Sequence, residues 1–241
     1  MESDFRKELY YKYDSTFKVY ISDFDEKSVK KMWKWYDKKY LPLISDFEKN
    51  VKILELGCGR GYLLEFLRKN GFENLEGIDI SEEQISITKR KGFNVKVSDA
   101  INFLNENKEK SKVIFALDFI EHFHKTELFQ LFEGIINNLE DGGLFIFHTP
   151  NGQTILSPNL VYGDLTHLTI FTPNSALQIL KVVGFNKISF IEAGPTRKNL
   201  NGLIRLILWK VIKFKHNIIR LIETGSTEKI LTQNFIGVAQ K

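Results

Sequence analysis

The chain has 241 residues, of which 43% are hydrophobic and 27% are charged, and its formal net charge is +4. This composition is ordinary for one soluble globular domain, and a single cysteine excludes an intrachain disulfide. The charged first residues lack the apolar stretch of a secretory signal, and no run approaches the roughly 20 apolar residues of a spanning helix, so we expect a cytoplasmic protein.

Residues 1–50 predict a helical cap. Aromatic residues crowd there among lysines and aspartates, and Val29, Met32, Trp33, Tyr36 and Tyr40 recur at helical spacing. A helix with these side chains on one face would pack on the rest of the domain. Taken singly, each aromatic residue is more simply a core residue than part of a ligand site.

From residue 51 onward, short apolar runs alternate with amphipathic stretches, which indicates a parallel sheet covered by helices. The predicted strands are 52–56, 74–80, 95–97, 112–117, 144–148, 187–191 and 233–239. The predicted helices are 62–69, 82–91, 100–106, 125–139 and 173–183. The polar loop 149–172 is long for a compact domain and is therefore either functional or mobile.

The strongest local signal is a buried strand that runs into a glycine turn, ELGCGRG at residues 55–61. Gly57 and Gly59 let the backbone turn sharply and let a ligand approach more closely than a Cβ would permit, next to the positive end of a helix. This pattern is typical of a nucleotide site. A dinucleotide fingerprint would need a glycine at position 62, where the residue is Tyr62, so the pattern argues against NAD.

Two carboxylates follow the next two predicted strands. Asp79 ends the second strand, where it can accept hydrogen bonds from both hydroxyls of a ribose, and Asp99 follows the third. Open α/β folds bind ligands at the edge of the sheet where these strand ends meet. Together with the glycine turn the two residues favour a nucleoside ligand, although Asp99 alone fits a helix cap equally well.

Three segments resemble the ordered motifs of class I S-adenosylmethionine methyltransferases, namely ELGCGRG at 55–61, GIDIS at 77–81 and LDFIEH at 117–122. The resemblance covers about residues 50–190. It implies a Rossmann-like α/β fold with a seven-stranded, mostly parallel sheet and an antiparallel last strand. On this basis we expect a cap at 1–50, a cofactor-binding domain at 51–193 and 232–241, and an insert at 194–231.

The same resemblance implies S-adenosylmethionine as the cofactor. The glycine loop would hold its methionine half, with Glu55 and the Leu117 carbonyl at the ammonium group, while Asp79 would bind the ribose and Asp99 the adenine amino group. Ile80 and Ala100 would cover the two faces of the adenine. The implied cofactor-binding set is Glu55, Gly57, Cys58, Gly59, Asp79, Ile80, Asp99, Ala100 and Leu117.

The acceptor side is less defined by the sequence. Methyl transfer is an in-line displacement, so the protein must mainly align the nucleophile and exclude water, and we expect no metal site. A sugar or phenol hydroxyl also needs a base, whereas a phosphate or carboxylate oxygen does not. Imidazole suits proton removal near neutral pH. We expect the catalytic residue among His167, His122 and Asp118, and His148 is a weaker candidate. The alternative to a catalytic role is a structural one, in which Asp118 caps a turn and His122 belongs to the start of a helix.

The preference for His167 rests on GDLTHLTIFTP at residues 163–173, which resembles a loop of bacterial methyltransferases that decorate surface polysaccharides such as capsule and O-antigen. The region 118–122 also resembles ubiquinone-pathway O-methyltransferases. We therefore expect O-methylation of a sugar or of a capsule or surface-polysaccharide precursor. A methyltransferase for a quinone-like or other small metabolite, and a non-catalytic nucleoside-binding module, are the alternatives.

The insert is basic, with seven Lys or Arg residues and no Asp or Glu between Arg197 and Arg220. Apolar residues, Ile204 and Val211 among them, can share one helical face and Arg205, Lys213, His216 and Arg220 another, which predicts an amphipathic helix or helix pair. Three interpretations stay open: a helix packed on its own sheet or on a second copy in a homodimer, peripheral contact with an anionic membrane, and contact with a phosphorylated acceptor. We expect no nucleic-acid partner.

Overall fold

The computed structural model describes residues 25–156, 163–197 and 199–241. Its first elements are α1 (Glu26–Lys39) and the short α2 (Leu41–Ile44). Asp25 begins α1 by accepting a hydrogen bond from the backbone N–H of Ser28. Tyr40 is fully buried and, with Trp33, Trp35 and Tyr36, packs against one face of the sheet. The predicted helical cap is confirmed for these residues, while the part of it before residue 25 lies outside the described residues.

Seven strands form one sheet in the described part of the chain. They are β1 (Ile53–Leu56), β2 (Leu75–Asp79), β3 (Asn94–Val97), β4 (Ser111–Leu117), β5 (Leu139–Pro150), β6 (Lys187–Glu192) and β7 (Asn234–Gln240). Their order is β3-β2-β1-β4-β5-β7-β6. The first five pair in parallel, and β7 runs antiparallel to both β5 and β6. The predicted Rossmann-like sheet with an antiparallel last strand is confirmed.

The helices on the two faces of the sheet lie close to their predicted positions. They are α3 (Tyr62–Lys69), α4 (Glu82–Arg90), α5 (Ala100–Glu106), α6 (Leu128–Asn137) and α7 (Pro173–Val182), and a short 3-10 turn covers Ile120–His122. The main error concerns the predicted helix 125–139 and strand 144–148. Leu139 is fully buried and pairs with Ser111, so it begins β5 rather than ending α6. Gly142 lies within β5 at a φ of 68°, where the register with β4 shifts between Ser111 and Val113.

The core consists of two apolar clusters, one on each face of the sheet. One is rich in phenylalanines, among which Phe145 stacks on Phe147 and meets Phe132 edge-on. A Cβ on Gly237 of β7 would lie 2.1 Å from the Phe147 ring, so only glycine lets β7 pass over that ring. Burial of both faces makes the sheet a rigid base for the loops at its carboxyl edge.

The insert between β6 and β7 forms a single helix, α8 (Leu200–Thr224), rather than a helix pair. Trp209 is the one residue of this helix that is buried among those described. Lys213 pairs with Glu192 at 3.1 Å and Arg220 with Glu228 at 3.6 Å, so the basic side of the helix faces the domain. The interpretation in which the apolar face packs on its own sheet is therefore wrong. Among the described residues we find no helix with the length and hydropathy needed to cross a bilayer.

Candidate active site

A cavity of about 390 Å³ lies at the carboxyl ends of β1, β2 and β4. Leu56 pairs with Ile78 on one side and with Ala116 on the other, so the three strands end at the same level. The cavity walls include every residue of the predicted cofactor-binding set. These are Glu55, Gly57, Cys58, Gly59, Asp79, Ile80, Asp99, Ala100 and Leu117.

The glycine turn leaves room for a ligand at the floor of this cavity. Gly57 has a φ of +70°, and a Cβ built on it would lie 2.5 Å from the Phe119 ring, so a side chain is excluded on both grounds. The backbone N–H of Cys58 donates to the Ile78 carbonyl at 2.9 Å, which holds the turn against β2. The turn then leads directly into α3.

Asp79 holds the loops on both sides of the cavity. Its Oδ2 accepts from the Gly59 N–H at 2.9 Å and its Oδ1 from the Ser81 N–H at 2.8 Å. A carboxylate has about four acceptor positions, so this loop role is compatible with the predicted bonds to a ribose. Asp99 also combines two roles, because its Oδ1 caps α5 while the carboxylate lines the cavity.

Glu55 is a buried carboxyl group at the cavity wall, with only 4% of its surface exposed. Its Oε2 has no hydrogen-bond partner among the described residues. Burial, reinforced by the negative charge of Asp79, raises the pKa of Glu55 well above its ordinary value. A cationic ligand would compensate both effects. The orphaned oxygen and the glycine turn therefore fit the ammonium and methionine half of S-adenosylmethionine.

A second and larger cavity, of about 1690 Å³, lies between α1, α8 and the chain just before β7. Its lining includes aromatic side chains, Trp35 and Tyr36, together with polar ones such as Gln233 and Asn234. Tyr36, Leu117 and Asp118 line both cavities. The two cavities therefore meet at Asp118, at the end of β4.

His148 and Asp118 form a close pair at this junction. Leu117 and His148 are partners in the β4–β5 register, and His148 Nδ1 lies 2.8 Å from Asp118 Oδ1. The His148 ring packs edge-on against Trp35, with 5.8 Å between centroids. Asp118 has a φ of 48°, a left-handed conformation that non-glycine residues seldom adopt and that often marks functional sites.

The surroundings of Asp118 favour its ionised form. Its side chain is 61% exposed. Desolvation favours a higher pKa for Asp118, but the charge and hydrogen bond of His148 outweigh it and lower the pKa below its ordinary value. A carboxylate that holds Nδ1 of an imidazole fixes the ring orientation and stabilises its protonated form. The pair can thus take up a proton.

The other two predicted catalytic histidines, His122 and His167, lie close to each other and near enough to Asp118 to lower its pKa. His122 lines the smaller of the two cavities, whereas His167 lines neither. The centroids of the two rings are 5.0 Å apart. Burial lowers the pKa of His122. Sequence reasoning ranked His148 below both, although its pairing with Asp118 follows from the adjacency of β4 and β5. It also missed Tyr36 as a cavity residue.

Comparison with known proteins shows the family to which the chain belongs. A family model described as a methyltransferase domain matches residues 31–189. The chain belongs to the methyltransferase domain family. A malonyl-[acyl-carrier protein] O-methyltransferase of Ilyobacter polytropus is 32% identical over 179 residues, which is 70% of this chain and 67% of that protein. A SAM-dependent methyltransferase structure from Archaeoglobus fulgidus has a TM-score of 0.68 at 22% identity, with 95% of this chain and 99% of that chain covered.

Family membership does not identify the acceptor. An EEF1A lysine methyltransferase 2 of Mus musculus is 35% identical over 86 residues, which is 33% of this chain and 33% of that protein. The chain thus matches about a third of the length of the first curated relatives. The names of the two relatives give different acceptors, a lysine and a malonyl group. S-adenosylmethionine is the cofactor of this methyltransferase domain.

Proposed function

We propose that this methyltransferase domain transfers a methyl group from S-adenosylmethionine to a hydroxyl group of a sugar-type acceptor, such as a capsule or surface-polysaccharide precursor. The observation that carries the proposal is the His148–Asp118 pair at the junction of the two cavities. The cofactor would occupy the smaller cavity and the acceptor the larger one.

In this proposal His148 is the general base. With Nδ1 held by Asp118, Nε2 is the nitrogen that accepts the hydroxyl proton as the acceptor oxygen attacks. Bound S-adenosylmethionine supplies a methyl group on a positively charged sulfur, so one carbon–oxygen bond forms as one carbon–sulfur bond breaks. Asp118 stabilises the imidazolium that results. Glu55 orients the cofactor through its ammonium group.

The lining of the second cavity supports a sugar-type acceptor. Trp35 and Tyr36 offer aromatic surfaces against which the apolar face of a sugar ring can pack, and Gln233 and Asn234 offer amide donors and acceptors for hydroxyl groups. A flat quinone-like metabolite is the second candidate, because the same two aromatic rings would also stack on it.

The test is turnover by His148→Ala with a panel of hydroxylated sugars, nucleotide sugars and catechol-type phenols. Loss of the base should lower turnover by about 100-fold while the affinity for S-adenosylmethionine stays unchanged. His124→Ala is the matched control, because His124 is exposed and lies outside both cavities. Full activity of His148→Ala would refute the base, and turnover of phenols alone would favour the second candidate.

A further inference from the structure

A cluster of ligand-type side chains lies beside the His148–Asp118 pair. Glu121, His122 and His167 each place one ligand atom so that all three atoms lie within 4.8 Å of one another. We propose that these residues bind a divalent first-row metal ion of the Zn²⁺ type. Two imidazoles and one carboxylate form a three-ligand set that leaves a fourth position open for water or substrate. This differs from the expectation of no metal site.

Glu121 provides the second, independent observation. It is only 1% exposed, and its Oε1 has no hydrogen-bond partner among the described residues. Its Oε2 accepts from Thr149 Oγ1 at 2.9 Å. A buried carboxyl oxygen without a partner is costly, and buried polar atoms are normally satisfied. A cation held with the two neighbouring imidazoles would satisfy this oxygen.

The surroundings also orient the ligands. His122 Nδ1 lies 3.0 Å from the Thr166 carbonyl, which leaves Nε2 as the ligand atom, the usual arrangement for a metal-binding histidine. The Glu121 carbonyl accepts from the N–H groups of Leu168 and Thr169 at 2.8 and 3.0 Å. These bonds join the loop that carries His167 to the turn that carries the other two ligands. The site is therefore assembled before any ion arrives.

The position of the cluster indicates what the ion would do. His122 is also part of the cofactor cavity wall, so the ion would lie close to the transferred methyl group. An acceptor oxygen that reached its open position from the junction of the two cavities would bind the ion, and the pKa of that hydroxyl would be lowered. This use of the ion depends on the proposed function, whereas binding of the ion does not.

The test measures metal binding directly, on tag-free protein stripped with a chelator. Titration with Co²⁺, followed by its visible absorption and by calorimetry, should show one site, and Zn²⁺ should displace the Co²⁺. Glu121→Gln and His167→Ala should each weaken binding by more than about 100-fold, because loss of a residue that only supports a ligand costs about 10- to 100-fold. His124→Ala, a nearby exposed histidine, should bind as the wild type does.

Circular dichroism shows whether each variant is folded. Because Glu121 and His167 lie on different segments, one variant still tests the site if the other misfolds. Stoichiometric binding lost in either folded variant supports the site. Absence of Co²⁺ and Zn²⁺ binding by the wild type, or unchanged binding by both variants, overturns it. Neither result depends on acceptor turnover, so failure of the metal site and failure of the proposed function can be told apart.

A second inference rests on the outer surface of α8. Residues of this helix that point away from the domain are apolar and exposed, including Ile207, Val211, Phe214 and Ile222. Phe214 is 68% exposed and Ile222 81%. At 3.6 residues per turn they lie opposite Trp209, Lys213 and Arg220, which contact the domain. The helix thus turns its apolar face outward along most of its 25 residues.

We infer that this face lies on an anionic membrane surface. Lys210 is exposed at one edge of the apolar face and Lys215 is exposed within it, and the long stems of both side chains can reach lipid headgroups. Lys213 and Arg220 pair with carboxylates of the domain, but the stretch 197–220 has no acidic residue of its own, so the exposed Lys210 and Lys215 give the outer side of the helix a charge that complements anionic lipid. Two copies paired through this face would bring like charges together, and a nucleic acid would leave the apolar side chains uncovered. The helix cannot span a bilayer, so it would lie in the interface.

The experiment is co-sedimentation of the full chain with vesicles of phosphatidylcholine alone or with phosphatidylglycerol. Binding should need the anionic lipid and weaken as salt rises. Phe214→Ser combined with Ile218→Ser, and separately Lys210→Glu combined with Lys215→Glu, should each weaken binding by about 10-fold or more. Phe129→Ser is the control, because Phe129 is equally exposed on α6.

Sedimentation velocity of the free chain tests whether a second copy of the chain, rather than a membrane, covers the apolar face. Failure to bind anionic vesicles overturns the inference, as does a dimer that dissociates in the Phe214 and Ile218 variant. A monomer that binds only anionic vesicles supports it.

Discussion

The cofactor cavity takes its walls from the ends of neighbouring strands and the short turns that follow them, whereas the second cavity takes them from α1, α8 and the chain before β7. The first is thus made by a few local motifs in the order of the sheet. The second is made by segments almost 200 residues apart. This difference suggests that the cofactor site is set by the sheet, and that acceptor specificity is set by elements added around it.

The largest expected effect is on the cofactor side. Asp79→Ala should weaken S-adenosylmethionine binding by about 2–4 kcal/mol, because two charge-assisted ribose bonds and two bonds to the loops are lost together. Calorimetry measures the affinity. Asp141→Ala, an exposed turn residue, is the control. An unchanged affinity would mean that Asp79 does not contact the ligand.

Glu55→Gln should lower cofactor affinity by about 10-fold through loss of the charge that faces the ammonium. Without cofactor, stability should change in the opposite direction. The pKa of Glu55 is raised in the folded chain, so the wild type loses stability as pH rises above the ordinary value of 4.5, and the Gln variant lacks this loss. Urea unfolding should show that the free energy of unfolding of the Gln variant, relative to that of the wild type, is higher at pH 8 than at pH 5. A relative free energy of unfolding that is higher at pH 5 than at pH 8 would contradict the interpretation of Glu55 as a buried carboxyl group with a raised pKa.

Trp35→Ala should act on the second cavity alone. Loss of its aromatic surface should raise the Michaelis constant for the acceptor by about 10-fold and leave cofactor affinity unchanged. Trp33→Ala is the matched control on the same helix, because Trp33 packs on α3 and lines neither cavity. If the Trp35 variant lost cofactor affinity instead, the two cavities would not be separate sites.

The last prediction changes no residue and concerns Cys58. Burial, together with the charges of Glu55 and Asp79, raises the pKa of the thiol, so the reactive thiolate is scarce at neutral pH. Alkylation by iodoacetamide at pH 8 should run at about 1% or less of the rate in the urea-unfolded chain. Rapid alkylation of the folded chain that S-adenosylmethionine blocks would show that the cavity floor is open.

The contrast between the two cavities, one built from local motifs and the other from distant segments, also explains which residues could be predicted from the sequence. The nine residues predicted to bind the cofactor come from motifs in which the residue, its strand and its turn are adjacent, so their place around one cavity could be predicted without coordinates. The His148–Asp118 pair required knowledge that β4 and β5 are neighbours in register. The orientation of α8 depended on Glu192 and Glu228, which lie outside the helix and draw its basic side inward. Periodicity alone cannot show which of two helical faces meets the domain.

The place of β7 has a consequence for how the protein is made. This strand is the last in the chain, yet it lies between β5 and β6 and pairs with both. On the ribosome, β6 and the whole of α8 therefore emerge before the strand on which β6 depends. Until residues 234–240 leave the exit tunnel, β6 has no partner in the sheet and the outward apolar residues of α8 are synthesised next to an unfinished edge. The nascent chain is then most prone to association with chaperones or with other chains.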